Sequence, residues 1–470
     1  MGKITRRCLV AGSFGILRAA TKRTDIRIEE MSHAYEDYLY RTPIKFGGTV
    51  VDRATIFNVN CTVRTGAGKV AKGFGSMPLG NVWSFPSKKM SYDMTLGAMK
   101  ALAEQMVKIT GGYREYGHPI DINYALDPLY DKAAAEVSER LHLAEPIPRL
   151  CTLVTASAVD AAVHDAFGKA HGVNCYHTYG PEFMTHDLSH YLGAEYKGEY
   201  PSKYIRSEPK PRMPLYHLVG AVDPLDKSDI VKPIGDGLPE TLSEWINFNG
   251  LTHLKIKLNG DDPKWDVERV LRIDRITTET QKKRGVKEWV YSLDFNEKCP
   301  NVGYLVNFLR QVRDKSPGGY ERIQYVEQPT ARDLKAHPEN RMQEAAKLRP
   351  VVIDESLTGV DMLMLSREQG YTGVALKACK GQSHMMIIGS AAEKNKMFLC
   401  VQDLTCPGAS LIQSASLAAH VPGVKAIEAN ARQYMPVANK AWEGRFPGVF
   451  KITDGTMDTS ELGRPGLGAV

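Results

Sequence analysis

The stretch HLKIKLNG, residues 253–260, alternates in polarity. In an extended chain Leu254, Ile256 and Leu258 share one face, while His253, Lys255 and Lys257 share the other. A solvated edge strand would explain two lysines on one side, so the neighbouring segments decide the reading. From Met213 onward short apolar runs recur, each followed by a helical stretch: PLYHLVG (214–220), HLKIKL (253–258), WVYSLDF (289–295), IQYVEQP (323–329), PVVIDES (350–356), GVALKAC (373–379), MFLCVQD (397–403) and VKAIEAN (424–430). Eight candidate strands alternating with helices are the rhythm of a parallel (β/α)8 barrel, a TIM-like α/β fold. A doubly wound open sheet is the other solution, but no glycine-rich phosphate turn follows any of these runs.

The rest of the chain divides around that barrel. Residues 1–24 form a tail, and residues 25–150 read as one α+β unit with its strands first. Alternation runs from Asp25 to about Ala67, with a turn at TGAGK (65–69), and a Gly- and Pro-rich loop follows, GFGSMPLGNVWSFPS (73–87). Helical periodicity then dominates from about Tyr92 to Leu143, broken near Gly111–Pro119. The barrel unit is assigned to residues 151–430 and opens with TASAVDAAVHDAFGKAHG (155–172), a small-residue helix stopped by Gly172. Pro181–Pro211, polar and aromatic without a clear period, reads as a lid-like insertion. Residues 431–470 become β-like again and are expected to return to the first unit.

Composition narrows the function. The 470 residues are 43% hydrophobic and 24% charged, as in an ordinary globular protein, and the net charge of +6 is dispersed, which argues against a nucleic-acid partner. The 8 cysteines are scattered with no CxxC pair, so neither a disulfide framework nor a zinc site is expected. No apolar stretch reads as long enough to span a bilayer, and no membrane partner is expected. TRRCLVAGSFGIL (5–17) sets Arg6-Arg7 before a short apolar run that Arg18 closes early. A cytoplasmic protein with a disordered tail is expected, with twin-arginine export as the alternative.

The strand ends carry the chemistry. The second to sixth runs end in Lys257, Asp294, Glu327, Asp354 and Lys377, and the residues two before them (Lys255, Ser292, Tyr325, Val352, Ala375) share their face. Active sites of such barrels lie at the C-terminal strand ends, so five consecutive strands aim charge at one spot. Three converging carboxylates raise one another's pKa unless a cation neutralises them. An all-oxygen donor set favours Mg2+, with Mn2+ the alternative. Beside such a cation Lys255 and Lys257 are expected to have depressed pKa values, so that one serves as a neutral amine base. Two lysines flanking the site, with Lys377 opposite, suit abstraction of a weakly acidic α-proton, and the ion stabilises the enediolate that forms. The competing reading makes Lys257 a surface lysine and Lys377 a structural ion-pair partner. His253 is expected to be packed below the site, Asp403 to contact substrate or cap a turn, and Lys380 to turn away.

These residues resemble the enolase superfamily, specifically the mandelate racemase/muconate lactonizing enzyme family. KIK is similar to the family's Lys-x-Lys element, LDFNE to its Asp-x-Asn element, VEQP to its Glu-x-Pro element, IDES to its Asp-Glu-Ser element and GVALKACKG to its sixth-strand lysine motif. TPIKFGG and VRTGAGKVAKGFG resemble its capping domain, AVDAAVHDAFGKAHG its helix before the barrel, and RPGLGAV its closing segment. The resemblance implies Asp294, Glu327 and Asp354 as magnesium ligands. It implies Lys257 and Lys377 as acid/bases, Lys255 as the lysine that tunes Lys257, and Asn296 and Glu355 as supporting partners. A lysine on the sixth strand and VQDLTCPG without histidine on the seventh favour the muconate lactonizing branch. The eighth strand, AIEAN, lacks the acidic pattern of dipeptide epimerases.

The expected function is Mg2+-dependent removal of a proton α to a carboxylate of a small hydroxy, sugar or amino acid derivative. The outcome is racemisation or epimerisation by an isomerase, or dehydration by a lyase; the alternatives are a muconate-type cycloisomerase and a non-catalytic barrel that binds a ligand. A metal-dependent hydrolase would need histidines at the strand ends, and none is there. A homo-oligomer is expected. Substrate choice is assigned to SHAYEDYLYRTPIKFG (32–47) and GFGSMPLGNVW (73–83), and Tyr35–Gly47 is expected to order on ligand binding.

Overall fold

A computed structural model describes residues 22–46 and 49–468. Arg6-Arg7 and Cys8 lie outside the described residues. Strands β1 (Ile26–Phe46), β2 (Thr49–Thr65) and β3 (Val70–Pro78) form an antiparallel sheet in that order. Helices α1 (Tyr92–Gly112), α2 (Pro119–Arg140) and α3 (Arg149–His171) pack beside it. Local chemistry sets their ends. The Ser91 hydroxyl accepts from Met94 N at the start of α1, Pro119 opens α2, and Gly172 closes α3 at φ 71.

One expectation for this unit is corrected. The glycine-rich stretch after residue 70 is not a loop: residues 70–78 are β3, and its glycines let α3 lie directly on the strand. A Cβ on Gly75 would sit 2.0 Å from Ala158 O, and one on Gly73 2.2 Å from Ala166 N. Residues 35–46 belong to β1, where Tyr35 stacks on Phe57 of β2 at 5.5 Å and Ile44 is buried.

Helix α3 also corrects the reading of membrane segments. It is long and apolar enough to cross a bilayer, yet its most apolar window is wholly buried. It is a core helix, touching β2 and β3 on one side and the turn after the sixth barrel strand on another. Its polar residues are paired inward: Asp160 accepts from Ser383 N and Oγ at 2.8 and 2.7 Å, and His164 Nε2 meets Ser383 Oγ at 2.8 Å. Burial depresses the His164 pKa to about 3, so the folded protein keeps this ring neutral. Unfolding frees it to take a proton, so the site's stabilisation, complete above pH 6.5, is withdrawn as pH falls toward 3. The loss of urea stability between pH 6.5 and 4 should therefore be shallower in His164→Gln than in the wild type.

Eight parallel strands make the barrel: β4 (Arg212–Val219), β5 (His253–Lys257), β6 (Val290–Asp294), β7 (Ile323–Glu327), β8 (Val351–Ile353), β9 (Gly373–Leu376), β10 (Phe398–Val401) and β11 (Val424–Glu428). They pair in sequence order, and β11 pairs with β4 to close the ring. Each lies in one of the eight apolar runs, because parallel strands covered by helices outside and side chains inside are apolar on both faces. Tyr216, Tyr325, Val352, Ala375, Cys400 and Ala426 fill the interior below the mouth.

The segment after Asn430 divides its contacts instead of returning wholly to the first sheet. Met435 and Ala438 pack with Ala54 and Ile56 of β2, and Trp442 stacks on Phe74 of β3 at 6.4 Å. The short strand β12 (Thr456–Asp458), however, pairs antiparallel with β4. The lid-like reading of Pro181–Pro211 is overturned. Lys210 Nζ donates to Pro422 O and Val424 O at 2.7 and 3.0 Å, where β11 begins, and Glu199 pairs with Lys394 near the end of a barrel helix. Glu199 and Lys210 thus lie at the N-terminal end of the barrel, opposite the mouth, while His186 and Tyr191 meet Asp121 of α2.

Candidate active site

At the C-terminal mouth the strand order brings lysines and carboxylates into one buried cluster. Lys255 Nζ lies 2.9 Å from Glu327 Oε2, 2.9 Å from Glu428 Oε2, 3.1 Å from Asp294 Oδ2 and 2.7 Å from Gln402 Oε1. Lys257 donates to Asp294 Oδ2 and, at 2.9 Å, to Asn296 Oδ1. Across the mouth Lys377 Nζ is 2.8 Å from Asp354 Oδ2. All the predicted site residues, Lys255, Lys257, Asp294, Asn296, Glu327, Asp354, Glu355 and Lys377, are buried around this one mouth.

Four further residues join them. Lys380, expected to turn away, donates to Asp354 O and Oδ1 at 2.5 and 3.1 Å. Residues 378–380 form a 3-10 turn, and three residues per turn bring Lys380 back above Lys377. Glu428 and Gln402 hold Lys255 from β11 and from just beyond β10. Trp83 comes from the other unit. Its Nε1 donates to Glu355 Oε1 at 2.9 Å, and its ring lies 4.3 Å from Lys377 Nζ and 5.7 Å from Lys380 Nζ. No apolar period marks Trp83 in the sequence, since its place depends on how the sheet unit docks. Asp403 is a turn residue, accepting from Leu404 N, Cys406 N and Asn430 N. His253 stays at the start of β5 beside Thr252 and Tyr216.

The electrostatics are those of crowded acids answered by lysines. Burial works against ionisation of Asp294 and Asp354. Lys257 and Lys255 nevertheless hold Asp294 below the usual carboxylate range, and Lys377 and Lys380 hold Asp354 at about 2. Burial and Asp294 push Glu327 well up, and burial with Asp354 raises Glu355 to about 7. Burial tends to lower Lys255, but Glu327, Glu428 and Asp294 outweigh it and raise it well above its ordinary value. Lys377 is raised too, through Asp354 and Glu327 acting against burial.

The donor set fits a hard divalent ion. Glu355 Oε2 is buried without a hydrogen-bond partner, while Glu327 Oε2 and Asp354 Oδ2 are met by the ammonium groups of Lys255 and Lys377 at 2.9 and 2.8 Å. Asp294, Glu327, Asp354, Glu355 and Glu428 outnumber Lys255, Lys257, Lys377 and Lys380 by one charge if all ionise, and buried acids in excess call for a cation. Among the described residues no three such side chains are drawn to the spacing of a filled metal site. Lys255, bridging Asp294 and Glu327, is what balances them as they stand. The mouth is reached through a cavity of about 340 Å³ lined by Trp83, Arg332, Asn296 and Glu355, and a smaller one of about 130 Å³ beside Lys257 and Lys45.

Comparison with known proteins agrees with this architecture. A family profile described as "Enolase C-terminal domain-like" matches residues 238–470. Similar solved structures include an enolase from Bradyrhizobium complexed with magnesium and mandelic acid, with TM-score 0.60 and 14% identity, covering 95% of this chain and 96% of that one. The L-Ala-D/L-Glu epimerase from Bacillus subtilis is similar at TM-score 0.61 and 18% identity, covering 94% and 99%. A muconate lactonizing enzyme from Pseudomonas fluorescens complexed with muconolactone gives TM-score 0.58 and 14% identity, covering 94% and 96%. No curated protein sequence matches the chain. Residues 238–470, which carry β5 to β11 and every lysine and carboxylate of the cluster, belong to the enolase C-terminal domain-like family, and the chain has the capped-barrel fold of the enolase superfamily.

Proposed function

We propose that this protein is an enzyme that removes the proton α to the carboxylate of a small organic acid. The observation that carries the reading is the placement of two buried lysines on either side of one carboxylate cluster. Lys257 ends β5 and Lys377 follows β9, with β6, β7 and β8 between them, and each ammonium is paired to a different aspartate. An α-carbon seated between them meets an amine on each face, the arrangement for general acid–base work on both. Asp294, Glu327 and Asp354 would hold Mg2+, with Mn2+ the alternative. When bound, the ion supplies positive charge where the substrate carboxylate becomes electron-rich.

Lys255 and Lys377 are held charged in the structure as it stands, so a lysine that acts as a base must first lose its proton. With such an ion bound, the acids would no longer depend on Lys255 for their charge balance. Lys255 and Lys257 share one face of β5, and both reach Asp294 Oδ2. Trp83 covers Lys377 and anchors Glu355, which keeps water from the far face. Isomerisation, by racemisation, epimerisation or cycloisomerisation, and elimination of water by a lyase share this first step. The Lys/Lys pair favours the muconate lactonizing-like branch.

Two measurements test the reading. Incubation in D2O with acid sugars, amino acids and dipeptides should give α-deuteration of at least one class, detected by NMR; no exchange in any class, with Mg2+ present, favours a binding barrel. Calorimetry should find one Mg2+ site per chain, weakened by more than about tenfold in Asp294→Asn. Equal affinity in the two proteins would remove Asp294 from the ligand set.

A further inference from the structure

A larger cavity, of about 490 Å³, opens outside the barrel between the helix Leu242–Asn249 and the segment after β11. It lies on the outer side of β4: Tyr216 faces the barrel interior, and His217, next along, faces outward to Arg432. Trp245, Phe248, Phe450 and Ile452 give it apolar walls, with Phe248 58% exposed. Arg432 also lines it. The guanidinium lies 5.1 Å from the centre of the Trp245 ring and meets Asn249 Oδ1 and His217 Nδ1, while its Nε is buried without a partner.

This cation lacks a counter-ion. Among the described residues no carboxylate forms an ion pair with Arg432; burial depresses its pKa to about 9, opposed only by the Tyr434 phenol. The other charged residues lining the cavity, Glu443 and Lys451, are of opposite sign and offset each other. Arg432 is part-buried with its Nε buried and unpartnered, and an arginine is the side chain whose donor fork matches a carboxylate. Aromatic walls beside it suit an apolar body.

We propose that this cleft binds a small organic carboxylate, its charged end on Arg432 and its apolar body against Trp245 and Phe248. The site is separate from the lysine cluster and stands whether or not the catalytic reading does.

The test is calorimetric titration of the full-length, magnesium-free protein with benzoate, using inorganic phosphate as competitor. One saturable benzoate per chain is expected, weakened by at least about tenfold in Arg432→Gln. Phe248→Asp places a negative charge at an exposed part of the wall and keeps the question open to test if Arg432→Gln does not fold. It should weaken benzoate similarly while leaving α-proton exchange at the mouth unchanged. Absence of saturable binding, unchanged affinity in Phe248→Asp, or equal displacement by phosphate would overturn the proposal. So would a fall in sedimenting mass in Phe248→Asp without benzoate binding to the wild type, which would make the cleft a contact between copies.

Discussion

Alanine at Lys257 or at Lys377 is expected to slow turnover by on the order of a hundredfold or more, because each substitution removes a general acid or base from one face of the substrate. The two variants should differ in kind. If the enzyme racemises or epimerises, Lys257→Ala still exchanges the α-proton of one stereoisomer with solvent and Lys377→Ala that of the other. If it dehydrates or cycloisomerises, one variant loses all exchange and the other keeps it. Exchange measured for each stereoisomer in each variant separates these outcomes. Undiminished turnover in both would return the lysines to the role of ion-pair partners for Asp294 and Asp354. Lys255→Ala is a less direct test, since removing it leaves Glu327 and Glu428 without their common cation.

Gly75→Val should destabilise the fold by about 3 kcal/mol or more, the cost of forcing bulk into a filled interface. The added Cβ would lie 2.0 Å from Ala158 O and 2.7 Å from Ala162 N, both backbone atoms of α3 that cannot turn aside as a side chain could. Gly97→Ala is the control. Nothing lies within 4 Å of a Cβ at Gly97, which sits inside α1, so that change should stabilise by up to about 1 kcal/mol through helix propensity. Urea denaturation of the two variants reads both signs. A Gly75→Val protein as stable as the wild type would mean that sheet and helix do not meet as closely as described.

The same glycines show where sequence reading stops. The barrel was legible because its strands are apolar and the second to sixth end in charge, a pattern contained within each run of six or seven residues. Strand β3 was not legible, since glycine in a strand usually weakens it. Its justification lies in the backbone of α3, remote in sequence. Lys380 was misplaced for a different reason. Lys380 was expected to turn away on the turn after Lys377, whereas a 3-10 turn restores its direction every three residues. The depressed pKa values expected for Lys255 and Lys257 presuppose a metal ion among the acids, while Glu327, Glu428 and Asp294 alone favour the charged ammonium of Lys255. Glu428 and Trp83 entered the site through pairings that no single segment contains.

Strand β4 bears on the timing of folding. It emerges from the ribosome before every other barrel strand, yet of its three neighbours only β5 follows soon after. The other two, β11 and β12, are the last strands to be made. A second late contact joins the same region: Leu467 N donates to Asp165 Oδ1, on the α3 helix that already supports β3. Nascent chains therefore carry β4 with an open edge through most of synthesis, and ring closure is a late, long-range event of the kind that folds slowly. In a cell, that interval is when this protein would depend most on chaperones.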